Sequence, residues 1–499
     1  MGNRFWPTLV LIVALVLAGL SILRLEQAGA GIVTSELRVG ETPVTVSRLP
    51  DVTDATVVVI AHGFAGSRQL MIGFAQTLAQ AGYIVASYDL EGHGRNPVPM
   101  SGDVASVDGT TRLLVAELGR VIDASLDLRG ANGELALLGH SMASDIIVRQ
   151  AIADPRVEAT VALSMFSTEV TADAPANLLV INGAWETALA AEALRVLRLT
   201  DPDATFAQTL GDPAAGTGRR AVLAPSVEHV GVLYSPTSMI ETRDWLNAVF
   251  DRPNDTPIAA RGGWIALLIV SVTALAWPLA RLARPLRAAT PPKRLPRGAF
   301  WAATLVPTIL TPLILWPFDI GFLPVLVADY LALHFALFGG IGLLFLARAG
   351  ALRWDATGLL LALPIALFCI GIFGAMLDIY VASFFAVEAR IWIILAIAAG
   401  AVPFMLADAY LTEAGHAPLW RVLVVRANAL VSLGIATALD MEGLFFLLLI
   451  LPIILLFFVL FGTLGGWIGR ATQRPMAAGL GLGLFLGWAL GMTFPLFAV

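Results

Sequence analysis

Charge is what this sequence has least of. Of its 499 residues only 14% are Asp, Glu, Lys or Arg, and 58% are hydrophobic, against about 25% and 45–50% in soluble globular domains. That balance excludes an ordinary cytosolic enzyme. Cysteine is almost absent: Cys369 stands alone in an apolar run, so no intramolecular disulfide can form and cysteine usage carries no information on redox compartment. Lysine is equally scarce, with Lys293 the one lysine among 31 basic residues. Neither half of the chain has the basic excess that binding nucleic acid requires. There is also no HExxH, no Cys/His cluster and no phosphate-cradling glycine loop, so no metal and no cofactor is implied.

The shortage of charge is uneven. Residues 1–262 hold 28 acidic and 18 basic residues, whereas residues 263–499 hold 9 and 13. The first part reads as an acidic, water-compatible domain, and the second is too poor in charge to be one. A bilayer-spanning helix needs about 20 mostly apolar residues, and Trp6–Leu23 meets this as an N-terminal anchor. A cleaved signal segment ending near Ala28-Gly29-Ala30 is the competing reading. After Gly262 come eight more apolar runs: Trp264–Leu282, Phe300–Pro317, Phe322–Ala347, Gly358–Leu377, Ile391–Leu411, Val422–Leu439, Leu444–Ile468 and Met476–Phe497. The expected division is therefore an anchor in 1–30, a soluble domain in 31–256 and a polytopic domain of about eight spans in 257–499.

Lys and Arg collect on the cytoplasmic side of short connectors. With the N-terminus inside, Arg281, Arg284, Arg287, Lys293, Arg294, Arg297, Arg348, Arg353, Arg421, Arg426, Arg470 and Arg474 all fall at inner ends, and Arg390 alone at an outer end. This orientation puts the soluble domain outside the cytoplasm, in a multi-pass protein of a bacterial inner membrane. The connector Arg284–Arg297 reads as a Pro-rich basic topology determinant beside anionic headgroups. Asp319, Asp329, Asp378 and Asp440 fall toward outer ends and Asp408 toward an inner one. Asp329 with His334 is a candidate for the lining of a polar cavity; the alternative is that Asp329 pairs with a neighbouring span.

Within the soluble part, short β-branched runs alternate with amphipathic stretches, the signature of an α/β fold with a mainly parallel sheet. Strands are expected at Thr56–Ala61, Ile84–Asp89, Leu135–Leu138, Ala159–Leu163, Leu178–Ile181 and Ala221–Leu223, with an antiparallel start in Leu37–Ser47. Helices are expected at Arg68–Ala81, Thr110–Asp127, Thr187–Leu199 and Thr237–Phe250.

The most informative stretch runs from Leu135 through Gly139-His140-Ser141-Met142-Ala143, a strand entering G-x-S-x-A and then a helix. It matches the nucleophile elbow G-x-S-x-G except at the last glycine. The elbow strains the serine backbone, so the flanking positions must be small, and Ala143 is the smallest possible departure. After the first parallel strand, His62-Gly63-Phe64-Ala65-Gly66-Ser67 offers the backbone N–H of Phe64 as an oxyanion donor beside that of Met142. His62 is read as a hydrogen-bonding brace. Asp89-Leu90-Glu91-Gly92-His93-Gly94-Arg95 reads as a structural turn.

A triad needs an acid and then a histidine after the serine. Glu186, just past the strand Leu178–Ile181, is the acid, with Glu169 as alternative. His229 is the one histidine after the elbow within this domain and takes the role of base; Glu228 beside it is read as surface.

Taken together, HGFAGS, DLEGHGR, GHSMAS, INGAWE and EHVGVLYSP resemble the α/β-hydrolase superfamily over roughly residues 37–250, with dienelactone-hydrolase-like and serine-aminopeptidase-like members the nearer resemblance. This implies an eight-stranded sheet, Ser141, Glu186 and His229 as nucleophile, acid and base, and an acyl-enzyme route on an ester, thioester or amide. Only about a dozen residues separate the strands ending near Leu163 and beginning near Leu178, too few for the lid that many members insert there. An open site of this kind suits a small-molecule or lipid acyl substrate, with membrane lipid as the partner. The other class left open is a transporter or envelope scaffold whose hydrolase-like domain binds without catalysis.

Overall fold

A computed structural model describes residues 4–103, 106–253, 256–282 and 292–498. Most of the basic connector Arg284–Arg297 lies outside the described residues. The chain packs as two compact units: Ile22–Ala266 with Asp378–Ser383 and Pro495–Val499 in one, and Met1–Ser21, Leu267–Leu377 and Phe384–Phe494 in the other.

The first unit is built on a nine-stranded sheet of order β1-β2-β4-β3-β5-β6-β7-β9-β8. Its strands are β1 Val33–Val39, β2 Thr42–Arg48, β3 Ala55–Ala61, β4 Ile84–Tyr88, β5 Ala131–His140, β6 Val157–Leu163, β7 Leu178–Gly183, β8 Thr209–Leu210 and β9 Arg219–Ala224. From β4 through β3, β5, β6 and β7 to β9 the pairing is parallel; β1, β2 and β8 join antiparallel at the two ends. Parallel strands are covered on both faces and so read as continuous apolar runs, and all seven residues of β3 (ATVVVIA) are buried. The expected eight strands become nine because two-residue β8 adds to the edge at β9, too short to leave a pattern. The stretch Leu37–Ser47 is a hairpin turning at Gly40, whose φ of +62° suits glycine.

After α1 (Phe5–Ala28), the helices of this region are α2 Ile72–Gln80, α3 Arg112–Leu126, α4 Met142–Ala153, α5 Thr187–Arg198 and α6 Pro236–Val249. The expected single helix from Arg68 begins instead as a 3-10 turn, Arg68–Met71, before α2. Residues 164–177, between β6 and β7, contain no helix, so this connection is a plain loop.

The second unit is helical: α7 Gly262–Leu282, which straddles both units, then α8 Arg297–Leu315, α9 Ala328–Arg348, α10 Ala356–Leu367, α11 Gly374–Tyr380, α12 Ile391–Leu411, α13 Leu419–Leu439, α14 Met441–Leu444, α15 Leu447–Thr472 and α16 Pro475–Thr493. A wide turn, Phe368–Phe373, joins α10 to α11. Among the described residues nine helices are long and apolar enough to cross a membrane. On α16, Gly479, Gly483, Gly487 and Gly491 recur every four residues, and a Cβ on each would lie within 3 Å of the Cα of Leu406, Val402, Ala398 and Ile394 of α12 respectively. Such small-residue faces let helix backbones touch.

The expected fourth span starts at Ala328 rather than Phe322, because Asp329 accepts the N–H groups of Phe322 at 3.0 Å and Tyr330 at 2.7 Å and so closes the turn entering α9. His334 instead meets the Ser432 hydroxyl at 3.1 Å. Among the described residues Asp329 is held by its own connector and shows no ion pair with a neighbouring span. Two small cavities of this unit, of about 10 Å³ each, are lined in part by Asp408, which pairs with Arg426 at 3.3 Å.

Candidate active site

The carboxyl ends of the parallel strands form the edge where α/β sheets place ligands, and three side chains meet there. Ser141 follows β5 with φ +55° and ψ −121°, a conformation a non-glycine residue holds only where its surroundings dictate it, at about 1–3 kcal/mol. The dictating contacts are specific. A Cβ on Gly139 would lie 2.6 Å from the carbonyl oxygen of Ala143, so only glycine fits two residues before the serine. Ala143 is fully buried, its methyl accepted by the packing of α4.

Ser141 Oγ lies 2.8 Å from His229 Nε2, and His229 Nδ1 lies 2.6 Å from Glu186 Oε1. This pattern fixes a tautomer: Nδ1–H donates to the carboxylate, leaving Nε2 to accept the serine proton. Glu186 caps the exit of β7, its second oxygen accepting the Gly183 N–H at 2.6 Å and the Ser164 hydroxyl at 2.8 Å. Burial pushes its carboxyl up, but the donated bonds from His229, Gly183 and Ser164 outweigh that and hold it below the usual carboxylate range. Glu169, the alternative acid, is exposed and pairs with Arg149 at 3.2 Å; it does not reach the histidine. Glu228 turns back on its own loop and accepts the N–H groups of Val230 and Gly231.

The loop after β3 lies against the serine. A Cβ on Gly63 would come within 2.9 Å of Ser141 Cβ and 2.8 Å of His140 Nδ1, so only glycine lets the Phe64 backbone approach this closely. Met142 is the first residue of α4, whose opening N–H groups have no intrahelical acceptor and sit at the positive end of the helix dipole. His62 is fully buried, receives the Leu90 N–H on Nε2 at 3.2 Å and faces the Gly63 carbonyl with Nδ1 at 2.8 Å; burial lowers its pKa. It braces two loops. In the Asp89–Arg95 turn, Asp89 accepts the Arg68 N–H, the Arg68 guanidinium and the Arg95 N–H while fully buried.

Two supporting residues gave no signal in the sequence. His140 Nε2 sits 2.9 Å from the His229 carbonyl oxygen, with ring centroids 5.0 Å apart. Burial and the neighbouring His229 push its pKa down to about 4, so it stays neutral and holds His229 in place. Ser164 anchors the acid from the end of β6. Neither contact is local in sequence, and only the strand order announces it.

Among the described residues no group of three or more His, Cys, Asp or Glu side chains could hold a metal ion.

Residues 53–210 match the family model described as serine aminopeptidase, S33. No curated protein matches the chain. Similar solved structures include an epoxide hydrolase from Vigna radiata (23% identity, 27% of this chain and 39% of that one, TM-score 0.22). Others are a hypothetical protein from Pseudomonas aeruginosa (14%, 44% and 94%, 0.33) and a predicted CIB-like hydrolase from Thermoplasma acidophilum (16%, 43% and 97%, 0.34). The chain spans about two fifths of the length of the epoxide hydrolase it matches. With the family match falling on a mostly parallel sheet of this order, the N-terminal part of the chain has a fold consistent with that of the α/β-hydrolases, followed by helices apolar enough to span a membrane.

Proposed function

We propose that the protein is a membrane-embedded serine hydrolase that cleaves an ester, thioester or amide through an acyl-enzyme on Ser141. The observation that carries this is the unbroken chain Ser141 Oγ, His229, Glu186 at 2.8 and 2.6 Å on a serine held at φ +55°. As Ser141 Oγ attacks the acyl carbonyl carbon, its proton passes to His229 Nε2, and Glu186 stabilises the resulting imidazolium through Nδ1–H. The carbonyl oxygen becomes an oxyanion received by the N–H groups of Phe64 and Met142. His229 then gives its proton to the leaving group as the tetrahedral adduct collapses. Water attacks the acyl-enzyme by the same route and regenerates Ser141. Glu186 in place of the commoner Asp changes the reach of the acid, not its role.

The acyl group is read as that of a lipid or envelope ester, because residues 164–177 form a plain loop in place of a lid and, among the described residues, nine helices are long and apolar enough to cross a membrane. A fluorophosphonate probe on purified protein separates this from a domain that binds without catalysis: covalent labelling at Ser141, abolished in Ser141→Ala, is expected, and absence of label defeats the reading. For orientation, a reporter fused after Phe250 is expected to be active only outside the cytoplasm and one fused at Pro291 only inside. A cytoplasmic signal after Phe250 would put the site among cytosolic thioesters instead.

A further inference from the structure

The turn that follows β4, residues 89–100, is held by two segments from far along the chain that pack within the same compact unit. Residues 495–498 lie beside it as an extended segment making one isolated bridge: the Leu496 N–H donates to the Gly92 carbonyl at 2.8 Å, the Met100 N–H to the Leu496 carbonyl at 2.9 Å and the Ala498 N–H to the Met100 carbonyl at 2.6 Å. Gly92 has φ +75°, and a Cβ there would stand 2.5 Å from the Leu496 carbonyl oxygen, so this contact itself demands glycine. The second segment is Asp378–Ser383. Asp378 pairs with Arg95 at 2.5 Å, and the Ser383 N–H donates to Ser67 Oγ at 3.0 Å, at the end of the HGFAGS stretch.

Between these two holds sits His93. Its ring packs edge-on against His62 at 5.2 Å and against Phe64 at 5.7 Å between centroids, while the adjacent Leu90 N–H binds His62. The turn is thus the wall against which the Phe64 loop rests. A Phe64 N–H has value as an oxyanion donor only at the position the developing charge will occupy, and displacements of about 1 Å in such positions cost about 10²-fold in rate.

From this juxtaposition we infer that residues 378–383 and 495–498 are positioning elements for the oxyanion loop: through the His93 turn they fix the Phe64 N–H, and turnover at Ser141 depends on these C-terminal segments. The inference rests on Ser141 acting as the nucleophile. It makes the sequence beyond residue 262 part of the hydrolase's working geometry.

The test uses full-length protein and p-nitrophenyl butyrate, with functional sites counted by fluorophosphonate titration. Deleting residues 495–499 is expected to lower kcat per titrated site by about tenfold or more, leave KM within about twofold and weaken a boronic acid, whose serine adduct occupies the oxyanion seat, by a similar factor. Arg95→Asp and Asp378→Arg are each expected to lose several-fold in kcat, and the double exchange to regain most of it. Unchanged kcat per site in the deletion and the single exchanges overturns the inference. A loss that shows only as fewer titratable sites also overturns it, since the segments would then serve folding alone. Wild-type protein without Ser141-dependent turnover removes the proposed function, and the inference with it; active wild type with a neutral deletion removes the inference alone.

Discussion

In the hydrolase unit one set of polar side chains, unlike the closed buried pair Arg68–Asp89, ends at a partly open serine: Glu186 and His140 each lean on His229, which leans on Ser141. In the helical unit three ion pairs close on themselves. Arg426 meets Asp408, Arg421 meets Glu413 at 2.7 Å, and Arg474 meets Asp355. The difference separates two uses of costly buried polarity. A chain of hydrogen bonds that ends at a partly open serine hydroxyl leaves a proton free to move, whereas a closed ion pair mainly offsets its own desolvation.

The largest expected effect falls on the first arrangement. Ser141→Ala and His229→Ala should each lower hydrolysis of a short p-nitrophenyl ester at least about 10³-fold, with circular dichroism unchanged. Near wild-type turnover in either variant would erase the contrast between the units. Next, Glu186→Gln is expected to lose about 10²-fold or more in kcat, because the productive tautomer of His229 is no longer enforced. Glu169→Gln removes only an exposed pair with Arg149, of about 0–1 kcal/mol, and should be nearly silent; a reversed ranking in the same assay would move the acid.

The second arrangement makes the opposite prediction. Arg426→Met strands Asp408 in a buried site and should cost about 3–5 kcal/mol of stability, seen as a lowered melting temperature in detergent. Asp408→Leu combined with Arg426→Met should recover most of it, with kcat per active site unchanged throughout. A fall in kcat without a fall in stability would give the pair a functional role. The smallest effect concerns pH. His140 is held neutral with its pKa pushed down to about 4 from an ordinary 6.5. Its contribution to folding is therefore fully present above pH 6.5 and lost progressively as pH falls toward 4. Melting of the hydrolase unit, followed by an attached probe, should weaken across that window, and His140→Asn should flatten the slope.

The parallel strands β3, β4, β5, β6, β7 and β9 were legible in sequence because a buried parallel strand is an apolar run bounded by turns. The elbow was legible because its glycine and alanine answer a steric demand at fixed spacing. The acid was less so: Glu169 and Glu186 both follow strand ends, and only the Gly183 and Ser164 contacts distinguish the carboxylate that faces His229. The first residues of β5 were missed because Asn132-Gly133-Glu134 carries turn chemistry, although β5 begins at Ala131 and Ala131 pairs with Ala55. The start of the fourth span was missed because Asp329 gathers backbone N–H groups from Phe322, seven positions before it, and Tyr330, one after, where hydropathy averages say nothing.

The glycine row of α16 also sets a schedule for assembly. Four backbone-to-backbone approaches at 479, 483, 487 and 491 give α12 a partner of nearly atomic closeness, yet α13, α14 and α15 are synthesised in between. During translation α12 must therefore remain without that partner until α16 emerges, relying on earlier neighbours such as α9, against which a Cβ on Gly400 would lie 2.0 Å from the Ala332 carbonyl oxygen. A stalled or shortened nascent chain would leave a groove on α12 shaped for a helix that has not arrived.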